Sequence, residues 1–251
     1  MNLKKKILRN DFIAVIPARY NSSRLPGKPL IKIAGIPMII RTYLQCIKVI
    51  DKKAVYVATD NIKIKKLCEE NQIKVIMTKK SCLTGTDRIA EVAKKIKKKF
   101  YINIQGDEPI CNPVDIKKIV LEAIKFPNEI INGYTPIKDK TLFNSGHIPK
   151  VVFRNDGRLL YQSRAGIPTT KKKEFIKSWR QVCLYSIPYE KLIEFAKHKK
   201  TLLERLEDCE LNRFLELGFE VKMIRMSDKS ISIDTLNNLK VLNRILKKNE
   251  L

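Results

Sequence analysis

Short apolar runs separated by amphipathic stretches of helical length dictate most of what this chain can become. Phe12–Pro17 (FIAVIP), Ala54–Ala58 (AVYVA), Lys74–Met77 (KVIM) and Tyr101–Ile104 (YINI) have the length and apolar content of buried strands. Helical periodicity fills the intervals at 37–49, 61–71 and 86–98, and follows the fourth strand at 113–125. Strands that are apolar on both faces need helices on both faces. The expected architecture is therefore α/β, a doubly wound and mostly parallel sheet. Right-handed crossovers then bring the carboxyl ends of the strands, and with them the ligand sites, to one sheet edge.

After about residue 130 the rhythm changes. Lys150–Phe153, Leu159–Gln162 and Val182–Ser186 read as strands, and Asn155-Asp156-Gly157-Arg158 between the first two is a hairpin-turn signal. Helices are expected at 189–198 and 207–217, the second ending at Gly218, with strands at 221–226 and 231–233 and a closing helix at 236–248. The chain reads as one domain, 1–251, with a nucleotide-binding half (12–130) and a second half (131–251) that carries a small β-rich extension.

The 251 residues include 51 Lys+Arg against 26 Asp+Glu, a formal charge of +25. A hydrophobic content of 44% excludes a disordered polycation. The charge raises nucleic acid, an anionic membrane or a phosphate-bearing substrate as partners. Lys94, Lys95 and Lys97–Lys99 surround the apolar helical positions Ile89, Ala93 and Ile96, so they read as a solvated face and not as a nucleic-acid surface with interleaved aromatics. No apolar run approaches the ~18–20 residues of a membrane helix. Lys4–Lys6 followed by apolar residues imitate a signal peptide, but Arg9, Asn10 and Asp11 interrupt them. The cysteines, at 46, 68, 82, 111, 183 and 209, show no CxxC spacing. They read as reduced core thiols of a cytoplasmic protein.

The chemistry concentrates in three segments. Directly after the first strand, Ile16–Leu30 (I-P-A-R-Y-N-S-S-R-L-P-G-K-P-L) gathers Arg19, Arg24 and Lys28 with Ser22, Ser23 and Gly27. Guanidinium forks and an ammonium suit phosphate oxygens, and small residues let backbone N–H groups approach, so a triphosphate is the natural ligand. The pattern GxxxxGK[ST] is absent, which excludes a P-loop NTPase. Next, Asn103-Ile104-Gln105-Gly106-Asp107-Glu108-Pro109 places Asp107 at the end of the fourth strand, where it suits either the Mg²⁺ of a nucleotide or an ordinary Gly-Asp turn. Finally, Ile233-Asp234-Thr235 precedes the last helix, and Asp234 is either a second metal ligand or a helix N-cap.

IPARYNSSRLPGKPL, VATDN, TGTDRIAEV, INIQGDEP, SRAGIP and IDTLNNL stand in the order found in 3-deoxy-manno-octulosonate (Kdo) cytidylyltransferases, the CMP-Kdo synthetases. The chain resembles that family over roughly residues 12–245. Nucleotidyltransferases acting on sugar 1-phosphates carry G-x-G-x-R where this chain has P-A-R-Y-N-S-S-R. The resemblance implies a Rossmann-like nucleotidyltransferase fold whose extension serves sugar binding and dimerisation, the 150–190 segment contributing to a homodimer. It also implies Mg²⁺-dependent transfer of CMP from CTP to the anomeric hydroxyl of an eight-carbon 3-deoxy sugar acid, with release of pyrophosphate, for lipopolysaccharide or surface-glycan synthesis. Neither nucleic acid nor membrane is an implied partner.

The same resemblance distributes the roles. Pro17, Ala18, Arg19, Arg24 and Lys28 bind the nucleotide, Arg19 and Lys28 holding the triphosphate with Arg24 assisting; Thr84, Gly85 and Arg88 read the cytosine or support that loop; Asp107 and Asp234 ligate Mg²⁺, and Arg19, Lys28, Asp107 and Asp234 are the catalytic set. Gln105, Arg164, Gln181, Tyr185 and Glu210 line the sugar pocket. From the residues alone, Arg88 and Glu210 equally fit solvated helical positions, and Tyr185 a core position. Two departures fall on the sugar side, where Gln181 and Leu211 stand at positions at which the family has His and Gln. A changed polar partner changes which hydroxyl or amine pattern is tolerated, so a modified acceptor is the expected variation, either an 8-amino Kdo or another ulosonic acid. A basic protein that has kept the fold and lost catalysis is the rival from another class; the retained Arg19, Lys28, Asp107 and Asp234 oppose it.

Overall fold

The computed structural model describes residues 6, 7, 9–21, 25–230, 233 and 236–248. Strand β1 (Phe12–Ala18) is buried along its whole length and sends Phe12, Ala14 and Ile16 to one face and Ile13 and Val15 to the other. A small hairpin, β2 (Lys32–Ile33) and β3 (Ile36–Pro37), leads into α1 (Met38–Cys46). Then β4 (Val55–Thr59), α2 (Ile62–Glu70), β5 (Lys74–Met77), α3 (Gly85–Lys95), β6 (Phe100–Ile104) and α4 (Pro113–Lys125) continue the expected alternation. Side-chain caps set the starts: Asn61 for α2, Thr84 for α3 and Asn112, followed by Pro113, for α4.

The second half adds β7 (Ile130–Pro136), α5 (Lys140–Asn144), β8 (Lys150–Phe153), β9 (Leu159–Ser163), β10 (Trp179–Pro188), α6 (Tyr189–Lys197), α7 (Leu202–Glu207), α8 (Glu210–Glu216), β11 (Val221–Arg225) and α9 (Leu236–Lys248). The main sheet runs β11-β7-β10-β6-β1-β4-β5. The β1–β4, β1–β6, β4–β5 and β11–β7 pairs are parallel, while β10 runs antiparallel to β6 and β7. The β8–β9 hairpin hangs from β10 as the β-rich extension. One face is covered by α1, α2 and α4, the other by α3, α6 and α8. Across the middle, the Phe12 and Phe100 rings stack with centroids 5.4 Å apart.

The structure corrects several expectations. The helix expected at 207–217 starts only at Glu210; Asp208, with φ 47°, breaks it from the unexpected α7. Its end agrees with expectation, since Gly218 (φ 79°) donates to Leu215 O at 2.9 Å and closes α8. The strand β7 is an addition to the sequence reading. Of the strand expected at 231–233 only Ile233 is described, outside any strand. Lys150 is fully buried and gives its ammonium to the carbonyls of Ser145 (2.8 Å), Ile148 (2.8 Å) and Arg164 (2.6 Å). Burial lowers its pKa, with the nearby Arg164 charge adding. All six cysteines are free thiols. No helix among the described residues is long and apolar enough to cross a membrane.

Candidate active site

The parallel strands deliver their carboxyl ends to one edge. Arg19 lies exposed just beyond β1, after the buried Ala18. The loop that follows closes on itself, because Gly27 (φ 68°) donates its N–H to Tyr20 O at 2.9 Å. A single 3₁₀ turn over Lys28–Leu30 then directs Lys28 back toward the sheet. Its ammonium meets the Asp107 carboxylate at 2.8 Å, so residues 79 positions apart become neighbours. Asp107 keeps 31% of its side chain exposed, against 12% for Lys28. Arg24, one of the expected phosphate ligands, lies outside the described residues.

Gly106 makes this meeting possible. A β-carbon there would stand 2.6 Å from Pro17 O, a backbone atom that cannot swing aside. The β1 and β6 ends therefore approach closely because residue 106 has no side chain, with Thr42 donating to Gly106 O at 3.3 Å. Gly106→Ala is expected to cost about 1–3 kcal/mol by overpacking, and to lower turnover further than melting temperature alone explains, since it separates Lys28 from Asp107. Calorimetry and turnover on one preparation check this.

Asp234 also lies outside the described residues, but its neighbour is placed: Ile233 donates its N–H to Asp107 O at 2.9 Å. Glu108, beside Asp107, is 2% exposed, and its carboxyl accepts from Cys183 N–H at 3.3 Å through one oxygen, while the other has no hydrogen-bond partner among the described residues. Burial, then the charge of Asp107, pushes its pKa up to about 7. Among the described residues no group of three or more His, Cys, Asp or Glu is placed to hold a metal.

The turn before α3 is a second construction at this edge. Thr84 and Asp87 form a reciprocal capping box. Gln105, expected on the sugar side, lays its carboxamide against Gly85, where a β-carbon would meet it at 2.8 Å. Glu210, expected there too, accepts instead from the N–H groups of Gly85 (3.3 Å) and Thr86 (3.1 Å), and burial raises its pKa. Arg88 is no solvated helical residue. It is 2% exposed, pairs with Asp60 at 3.1 Å and donates to the Thr78 hydroxyl. Asp60 also accepts from Tyr20 N–H at 3.3 Å, tying the start of the loop after β1 to this turn. Asp60 is not among the residues singled out in the sequence; an acid just past a strand's carboxyl end, in VATDN, is the available signal.

On the β10 side, Tyr185 is 4% exposed and its hydroxyl accepts from Gln181 at 2.9 Å. Gln181 further contacts Asn132 (3.3 Å) and accepts from Gln162 (2.6 Å), so the glutamine that departs from the family pattern belongs to a buried amide network. Leu211, the other departure, is fully buried in the apolar core. Arg164 directs its guanidinium at backbone carbonyls, those of Glu207 (2.7 Å), Gly146 (3.0 Å) and Asp208 (2.9 Å). Asn103, at the floor between Val15 and Tyr185, is fully buried, and neither carboxamide atom has a hydrogen-bond partner among the described residues.

A lysine paired with a carboxylate and a capped turn stand together at the carboxyl edge of a doubly wound sheet, the arrangement of a nucleotidyltransferase-like fold. Solved structures share this fold. A CMP:2-keto-3-deoxy-manno-octonic acid synthetase complexed with CTP superposes with TM-score 0.87 at 29% identity, covering 95% of this chain and 99% of that one. A putative glucose-1-phosphate thymidylyltransferase from Bacillus anthracis, 15% identical with TM-score 0.67, shares the fold. The cytidylyltransferase family profile matches residues 13–231, and the chain belongs to that family. The 3-deoxy-manno-octulosonate cytidylyltransferase of Geobacter sulfurreducens is 36% identical, over 94% of this chain and 99% of its own length. The 8-amino-3,8-dideoxy-manno-octulosonate cytidylyltransferase of Shewanella pealeana is 34% identical, over 90% and 95%.

Proposed function

We propose that the protein transfers CMP from CTP to the anomeric hydroxyl of an eight-carbon 3-deoxy sugar acid, releasing pyrophosphate, with Kdo or an 8-amino Kdo as acceptor. The carrying observation is the Lys28–Asp107 pair at 2.8 Å, a phosphate-seeking cation and a metal-seeking carboxylate at the meeting of β1 and β6. The acceptor oxygen attacks the α-phosphorus in line, and catalysis consists of positioning and charge neutralisation. Arg19 and Lys28 bind and orient the triphosphate, with Arg24 assisting. The turn at Thr84–Gly85 meets the base, and Arg88 acts through Asp60 to hold that turn.

Mg²⁺ is the fitting cofactor. Two carboxylates plus substrate phosphates are its usual donor set, and the Ile233–Asp107 hydrogen bond draws the segment preceding Asp234 up to Asp107. Held by Asp107 and Asp234, it would supply charge neutralisation at the phosphate and a lowered pKa at the acceptor hydroxyl. The active form is a homodimer built through 150–190, where Leu160 and Ile176 are 58% and 73% exposed. It works in the cytoplasm, where free thiols persist.

Relatives named for Kdo and for its 8-amino form lie within two percentage points of each other, at 36% and 34% identity, so the acceptor rests on local chemistry. The Gln that stands at position 181, where the family has His, favours an acceptor altered from Kdo. Incubating the protein with CTP, Mg²⁺ and, separately, Kdo, 8-amino-Kdo and a sialic acid tests this by pyrophosphate release. Release with one of the two octulosonates and none with sialic acid is expected; no release with any acid defeats the proposed reaction.

A further inference from the structure

The turn that opens α3 is held from the other half of the chain. Thr84 and Asp87 satisfy each other, but the N–H groups of Gly85 and Thr86 both point at one carboxylate, Glu210, at the first position of α8. One helical turn later, Arg213 donates to Asp87 Oδ1 at 2.8 Å. Between them, Asn212 exchanges hydrogen bonds with the backbone of Gln162, donating to its carbonyl at 2.9 Å and accepting from its N–H at 3.3 Å. Helix α8 thus grips the nucleotide turn with Glu210 and Arg213 on one face and anchors itself on β9 with Asn212. Gln105 fills the remaining side of Gly85, so the turn is fixed from the sheet and from α8 at once.

We infer that Glu210 is a positioning residue for the nucleotide, holding the 84–87 turn in its binding geometry through two backbone N–H groups. This rests on the reading that the Thr84–Gly85 turn meets the base. Each Glu210 oxygen accepts one of the two N–H groups, so a single side chain fixes the direction of both. Without it the first N–H groups of α3 turn toward other acceptors, and the turn samples geometries that do not fit the nucleotide. Such loss of preorganisation weakens binding of the group the turn contacts and spares the rest.

The test uses the full-length protein and two readouts. Calorimetric titration with CTP and Mg²⁺, without acceptor, is expected to show roughly tenfold weaker binding for Glu210→Ala, the scale of losing charge-assisted hydrogen bonds. Glu210→Gln, which keeps one acceptor oxygen, is expected to recover part of that loss at an unchanged melting temperature. In steady state, KM for CTP rises by the same factor, while kcat and the acceptor's KM stay within about twofold. Unchanged CTP affinity with a raised acceptor KM would overturn the inference and make Glu210 a sugar ligand. If Glu210→Ala does not fold, Glu210→Gln carries the comparison alone, and wild-type CTP affinity in it refutes the role. A wild-type protein that binds CTP but transfers CMP to no acid defeats the proposed reaction and leaves the binding comparison standing.

Discussion

Asp107→Asn lowers turnover by roughly three orders of magnitude or more while CTP binding stays measurable, the expected signature of losing charge stabilisation at the reacting phosphate. The substitution is nearly isosteric. The hydrogen bond to Ile233 uses the backbone carbonyl of residue 107, so it survives, and the close approach at Gly106 is untouched. What disappears is one negative charge facing Lys28. Its effect on CTP has a definite sign: the ammonium no longer has a carboxylate competing with the triphosphate, so metal-free CTP binds as well as to the wild type or better. Loss of CTP binding together with turnover would instead show that the pair is structural. Undiminished turnover would remove Asp107 from the reaction. Titration calorimetry with and without Mg²⁺, set beside pyrophosphate release, separates these outcomes.

The first half of the fold was legible because its central strands β1 and β6 are buried on both faces and α2, α3 and α4 carry capping signals, at Asn61, Thr84 and Asn112. The second half hides its structure in polar residues. The strand β7 reads IINGYTP, and its interior Asn and Gly argue against a strand by composition. Both have structural work there. Asn132 donates to Val182 O (3.2 Å) and Leu184 O (2.9 Å), where the β7–β10 register shifts, and a β-carbon on Gly133 would stand 2.8 Å from Met226. The break at Asp208 was similarly invisible, yet Arg164 binds the carbonyls of Glu207 and Asp208 at that break. Arg164 therefore looks like a sugar ligand in sequence and is engaged with backbone in the structure.

The site divides the same way. Lys28 and Asp107 were readable because each follows a glycine in a loop that leaves a buried strand, β1 or β6. Arg88 and Glu210 were readable only as alternatives, since their partners Asp60 and the Gly85–Thr86 N–H groups come from other elements. A charged side chain inside a helical pattern is solvated by default, and only the tertiary partner reverses that. The +25 charge shows this at its extreme: most lysines lie outside, while Lys150, Arg88 and Arg213 are buried.

Arg213 carries the largest expected effect on stability. It is fully buried, with its guanidinium 2.7 Å from Glu204 and 2.8 Å from Asp87, and it lies 3.7 Å above the centre of the Phe195 ring. Glu204 is also fully buried. Arg213→Met keeps the apolar stem but strands a buried carboxylate, which costs about 3–5 kcal/mol. For a chain of this length each kcal/mol corresponds to about 2–4 °C, so the melting temperature is expected to fall by roughly 6–20 °C. Adding Glu204→Leu to Arg213→Met removes the stranded charge and is expected to restore much of the loss. That recovery distinguishes an uncompensated charge from a simple packing defect, which a second truncation would worsen. Asp87 makes the effect reach the site: deprived of Arg213 it keeps only Thr84, so the double variant regains stability without regaining full CTP affinity. If thermal unfolding and CTP titration recover together in the double variant, Arg213 contributes to folding alone and α8 holds the nucleotide turn through Glu210 only.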